Sequence, residues 1–212
     1  MGTPKDSEKT RTRLIEAAGS LFAEKGFNGV TVREIVSAAN THLSALNYHF
    51  SSKDALYREV LLDACRSDTI SQSDQRLLLG LNPGEALFLM VKESLKNYTS
   101  QKKNAWRIII LSRECRQPSK AFDEVVESYF RPETDFVARI IASASNRMEN
   151  DYPVKFAVIT MIGLIETFSL YSQLIDAVAP GMDTHYKKKD RLARQITHLV
   201  LEAADPKSKH QK

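Results

Sequence analysis

The side chains best placed to do chemistry lie in one short stretch, Thr31 to Leu56, which reads TVREIVSAANTHLSALNYHFSSKDAL. Within it, Ser44, Asn47, Tyr48 and His49 sit on a short helix beside its inward anchors, Leu43 or Leu46 and then Phe50. Hydroxyl, amide, phenol and imidazole groups left over from a core are the donors and acceptors that hold nucleic-acid phosphates and base edges. A catalytic reading has no comparable support. The chain has no glycine-rich phosphate loop and no acid and base at a useful spacing, and its five histidines are scattered. His42 and His49 stand two helical turns apart, too far to hold one metal ion from one helix. No enzyme, metal or cofactor is expected.

The elements that must position these groups follow from caps and periodicity. Thr31 has the place of a helix N-cap, and Glu34 three residues later closes a capping box. Val30 before the cap and Ile35 inside the helix form a hydrophobic staple. Val32, Ile35, Val36 and Ala39 then give one buried stripe at helical spacing. Asn40 ends that helix, since asparagine tolerates the left-handed backbone a sharp turn needs. Ser51 or Ser52 caps the next helix, with Lys53 in its first turn. Helix, tight turn and second helix make a helix-turn-helix unit.

The first sixty or so residues resemble the DNA-binding domain of the TetR family of bacterial transcriptional regulators. The resemblance rests on the apolar first helix ending in Lys25-Gly26-Phe27, on TVREI, on LNYHF and on SKDALY. The family's usual turn glycine is Asn40 here, and its usual serine cap on the recognition helix is His42, a weak cap. The resemblance implies phosphate contacts by Tyr48, His49 and Lys53, with Thr31 also close to phosphate. It implies that Arg33, Ser44, Ala45 and Asn47 face base edges. The chemistry agrees: tyrosine and lysine position, whereas asparagine and arginine carry the paired groups that read adenine and guanine.

Composition sets the frame. The chain has 212 residues, 42% hydrophobic and 26% charged, an ordinary balance for a protein with a sizeable core. Cys65 and Cys115 are far apart and have no metal-type spacing. The start of the chain is polar and charged, unlike a signal peptide, and no apolar run is read as reaching membrane-spanning length. A cytoplasmic protein without membrane contact is expected. Net charge is +4, of which residues 1–60 carry only +1 and residues 183–212 carry +4. Phosphate contact must therefore rest on a few placed groups and helix N-termini rather than a broad basic field. The basic end reads as a solvated face and a frayed terminus.

The expected fold is all-α with about nine helices: a helix-turn-helix domain over residues 1–52 and a larger helical domain over 53–212. The first helix covers about Glu8 to Lys25, and the helix from Lys53 reaches about Ser67. Residues 68–82 read as a loop with room for a short turn. Asn82-Pro83-Gly84-Glu85 is a strong helix start. A helix beginning at Asn104 or Ala105 stops at Pro118, and the next, capped by Ser119, is kinked or split by Pro132. A nearly all-apolar helix covers Tyr152 to Val178, and the last runs from about His185 to Ala204. The segment from Trp106 to Ile141 also resembles the CecR-like subgroup of the TetR family. Arg113-Glu114, Pro118-Ser119 and Arg131-Pro132 carry that likeness.

The family resemblance implies a ligand pocket in the larger domain. Aromatic and polar groups on apolar faces are the candidates for it: Tyr98, Trp106, Arg113, Glu114, Glu166, Phe168 and Tyr171. Glu166 is the one acid between Lys155 and Asp176, so it meets a cation or lies at an edge. Ile162, Ile165, Phe168, Leu199 and Val200 exceed what a small domain covers, so the last two long helices, with Ile162, Ile165, Leu192, Ile196, Leu199 and Val200, are expected at a homodimer interface. The function expected is a dimeric repressor that binds an inverted-repeat operator in double-stranded DNA and is released by a small hydrophobic or aromatic effector. The alternative is a TetR-like structural or division factor that binds DNA without sensing a ligand.

Overall fold

The computed structural model describes residues 4–100, 105–181 and 189–205. They form α1 (Pro4–Lys25), α2 (Val32–Ala38), α3 (Leu43–His49), α4 (Lys53–Asp68), α5 (Gln72–Leu79), α6 (Pro83–Ser100) and α7 (Ala105–Arg116). Then come α8 (Phe122–Val125), a π-helical turn (Val126–Phe130), α9 (Arg131–Ser145), α10 (Tyr152–Leu170), α11 (Ser172–Val178) and α12 (Lys189–Ala204). No strand occurs among the described residues. The fold is all-α.

Each of the nine expected helices is present, and the differences have local causes. α5 falls where a loop is expected: Ser71 Oγ accepts from the Asp74 N–H at 3.1 Å and donates to the Asp74 carboxylate at 2.6 Å, a cap hidden in a polar run. Pro132 brings a split rather than a simple kink. It has no N–H to give the preceding turn, and the chain widens into a π-helical turn immediately before α9. The expected helix from Tyr152 to Val178 breaks at Tyr171 (φ −110°, ψ 31°), and α11 starts anew. The start expected near His185 lies outside the described residues.

The chain divides into two compact units, Met1–Thr69 with Lys102–Phe130, and Ile70–Gln101 with Arg131–Lys212. In the first, α1, α4 and α7 pack on one another with α2 and α3 against α1. Leu14, Phe22, Ile35, Leu46, Leu56, Leu61 and Ile110 are fully buried there. In the second, α6, α9, α10 and α12 surround Leu87, Val91, Ile141, Val154, Ile196 and Val200.

α10 is long and apolar enough, by length and composition, to cross a bilayer, which corrects the expectation that no run reaches that size. Val154, Ala157, Val158, Met161 and Ile165 of that helix are buried in the second unit's core, which gives its apolar character a packing role.

Candidate nucleic-acid interface

α2 is short and owes its start to side chains. The Thr31 hydroxyl accepts the Glu34 N–H at 3.2 Å, and Glu34 Oε2 accepts both the backbone N–H and the hydroxyl of Thr31 at 2.8 Å. The other Glu34 oxygen pairs with Lys25 Nζ at 2.8 Å. The hydrogen bond from Lys25 and those from Thr31 hold the Glu34 carboxyl down at about 2, and Lys25 is correspondingly raised. Both Thr31 donors are thus given to Glu34 in this structure, so a phosphate would have to compete for them.

Asn40 stands at φ +47°, the left-handed turn between the two helices. His42 is the N-cap of α3 and makes no side-chain cap bond. α3 therefore depends on its buried side, where Leu46 and Phe50 enter the core while Leu43 stays outside. Leu46 rather than Leu43 is the anchor. Ser44, Asn47 and Tyr48 are exposed, Tyr48 to 79%, and Ala45 and His49 are half-buried. The Tyr48 and His49 rings meet edge to face at 5.0 Å. Arg33 is exposed on α2. An outward row of polar groups above a firmly packed inner side is the arrangement a recognition helix requires.

Lys53 opens α4 behind a Ser52 cap, whose hydroxyl accepts the Ala55 N–H at 3.1 Å. Its ammonium donates to the Val30 carbonyl at 2.7 Å and lies 4.3 Å from the centre of the Phe27 ring. Among the described residues, this leaves two of its N–H bonds for another acceptor. Nothing in the spacing of Phe27 and Val30 signals that they hold this lysine.

Three residues expected at a ligand pocket belong to the first unit and are engaged with α1, α4 or the turn after α7. Trp106 Nε1 donates to Glu16 at 3.0 Å, and the ring covers Gly19. Arg113 lays its guanidinium on the Ala23 and Glu24 carbonyls at 3.3 and 3.4 Å, completing the C-terminus of α1 beside Gly26 (φ +75°). Glu114 is fully buried and accepts from the Tyr57 hydroxyl at 2.9 Å and the Ser119 N–H at 2.7 Å. Burial, then the bond to Glu114, pushes the Tyr57 hydroxyl well above the usual phenol range and keeps it a donor. Arg107, unremarked in sequence, joins Glu16 at 2.6 Å and Asp63 at 2.9 Å.

The other pocket candidates lie in the second unit. Glu166 and Phe168 are half-buried on α10, and Tyr171 is exposed at its end. Ser169, which sequence reasoning passed over, has a buried hydroxyl oxygen without a hydrogen-bond partner among the described residues. Tyr98 belongs to α6, but its side chain lies outside those described. Of the residues expected at a dimer interface, Ile165, Leu192, Ile196 and Val200 are buried in the unit's own core. Their stripe faces α6, α9 and α10 or α12 inside one chain. Ile162 is half-buried and Leu199 is 48% exposed.

Comparison with known proteins agrees with this architecture. Residues 14–60 match the model for bacterial regulatory proteins of the tetR family. Residues 83–204 match the C-terminal domain of the HTH-type transcriptional dual regulator CecR. CecR of Shigella flexneri is 28% identical, the match covering 95% of each chain. An HlyIIR mutant structure superposes with a TM-score of 0.66 at 19% identity, over 93% of this chain and 97% of that one. AibR, solved with isovaleryl coenzyme A and operator DNA, gives 0.65 at 15% identity, over 91% and 96%. The chain belongs to the TetR family of bacterial transcriptional regulators, with a C-terminal domain of the CecR type.

Proposed function

We propose that this chain is a cytoplasmic, homodimeric repressor that binds an inverted-repeat operator and leaves it when a small hydrophobic or aromatic effector binds. The observation that carries the reading is the outward row of α3, Ser44, Asn47 and Tyr48, above the buried Leu46 and Phe50. Tyr48, His49 and Lys53 hold phosphate, with Thr31 near it, while Arg33, Ser44, Ala45 and Asn47 face base edges. No catalytic step belongs to this function.

Dimerisation uses the apolar face that the second unit leaves uncovered. Tyr152, Phe156 and Ile159 are exposed at helical spacing on α10, and Leu199 is exposed on α12, so burying them removes apolar surface from water. A two-fold axis then sets two α3 helices into successive major grooves, about 34–36 Å apart or somewhat more. Ligand sensing is supported by the family and by proteins of the same fold: AibR was solved with isovaleryl coenzyme A, and a gamma-butyrolactone receptor shares the fold. The candidates left for the effector are Glu166, Phe168, Ser169 and Tyr171 at the end of α10. An effector releases DNA only by binding the non-DNA arrangement more tightly.

Selection of bound duplexes from a random pool, followed by screening small acyl and aromatic compounds for release, tests this reading. Recovery of an inverted repeat and a compound that dissociates it supports the function. A pool without enrichment contradicts it.

A further inference from the structure

Lys53, Phe27, Tyr57 and Glu114 form an unbroken line of contacts from α7 to the start of α4. Lys53 and Tyr57 are four residues apart on α4, so their side chains leave the same helix face. Phe27 lies against both: Lys53 Nζ is 4.3 Å from its ring centre, and the Tyr57 ring is 5.0 Å away with the planes at 65°. Tyr57 also meets Phe22 edge to face at 5.0 Å, and Phe22 stacks on Phe27 at 5.9 Å, so the three rings form one cluster. The Tyr57 hydroxyl reaches beyond them to Glu114 Oε2 at 2.9 Å. Glu114 is itself fixed, because its other oxygen accepts the Ser119 N–H at 2.7 Å.

A lysine ammonium rides on a long flexible stem and loses much freedom when it is fixed on a phosphate. Here the Val30 carbonyl and the Phe27 face confine it beforehand. We infer that Tyr57, anchored by Glu114, is a positioning residue for DNA binding: it sets the Phe27 ring, and through it the place where Lys53 offers its ammonium to phosphate. The hydroxyl separates this role from plain core packing, since a phenylalanine at position 57 keeps both ring contacts and loses the anchor. The inference rests on the reading of Lys53 as a phosphate contact given under Proposed function.

The test uses the full-length protein and a short mixed-sequence DNA duplex, with affinity measured across a salt series for wild type, Lys53→Ala, Tyr57→Phe and the double variant. Thermal unfolding establishes that each is folded at the assay temperature. Lys53→Ala lowers the salt slope by about one unit per protomer. Tyr57→Phe is expected to weaken binding and move the slope toward the Lys53→Ala value, while the double variant falls no further than Lys53→Ala alone. Phe27→Leu, which keeps the hydroxyl bond and removes the ring, gives the same loss and decides the matter if Tyr57→Phe does not fold. A wild-type slope in Tyr57→Phe beside a lowered slope in Lys53→Ala overturns the positioning role alone. An unchanged slope in Lys53→Ala overturns the phosphate reading, and the positioning role with it.

Discussion

A Cβ built on Gly19 of α1 would stand 2.4 Å from ring atoms of Trp106 on α7. The two helices meet so closely that the indole occupies the place of a side chain, and its N–H is held by Glu16 one turn away. In the interior of an ordinary helix, glycine to alanine gains roughly 0.8–1 kcal/mol. Here the sign reverses, because a rigid ring cannot yield as a flexible side chain does. Gly19→Ala is expected to lose about 1–3 kcal/mol in urea unfolding. Trp106, the one tryptophan in the chain, should report the displacement by its fluorescence.

The start of α2 supplies a pH-dependent prediction. Glu34 has its carboxyl lowered from 4.5 to about 2 by Lys25 and Thr31. A carboxyl depressed in the folded state contributes fully above its unfolded value and loses that contribution as pH falls toward its folded value. The stability difference between wild type and Glu34→Gln should therefore be constant above about pH 5 and shrink between there and about pH 2. Thr31→Ala, which removes the cap oxygen, is expected to cost about 1 kcal/mol near neutral pH. Thermal unfolding of both variants across that range checks the pair.

What could be read in the sequence was local. The capping box at Thr31 and Glu34, the left-handed Asn40, the weak cap at His42 and the helix start at Asn82-Pro83 each depend on residues within four positions, and each is found in the structure. What escaped depends on partners distant in the chain. The hydrogen bonds of Arg113 to Ala23 and Glu24, and of Glu114 to Tyr57, join residues more than fifty positions apart. Periodicity on α12 says that a face is covered, not what covers it, and Leu192, Ile196 and Val200 are covered within one chain. The break at Tyr171 left no mark, since the apolar pattern continues through it.

The burial of Ile165, Leu192, Ile196 and Val200 within one chain bears on which substitutions should dissociate a dimer. Phe156→Glu or Ile159→Arg places a charge on the exposed face of α10 and is expected to yield a folded monomer in sedimentation at micromolar concentration. Ile196→Ala acts inside the core and should instead lower stability by about 2–5 kcal/mol, with any change of association secondary. Dimers persisting in both charged variants would place the interface elsewhere.

The effector reading makes a separate demand on the end of α10. Phe168→Ala and Tyr171→Ala are expected to blunt release of DNA by an effector while leaving affinity without effector within about twofold, a change of roughly 0.4 kcal/mol. Operator titrations with and without the compound, together with its effect on melting temperature, measure both quantities.

The central claim is that the outer row of α3 reads DNA, with Tyr48 positioning and Asn47 specifying. The most direct measurement is a pair of affinities, for the selected operator and for a scrambled duplex of equal length, taken for Tyr48→Ala and Asn47→Ala across a salt series. Tyr48→Ala should weaken both duplexes alike, because every sequence presents the same phosphates. Asn47→Ala should cost about 1–3 kcal/mol on the operator and little on the scrambled duplex. If Asn47→Ala lowers both affinities equally, or neither, the assignment of base reading to this face is contradicted.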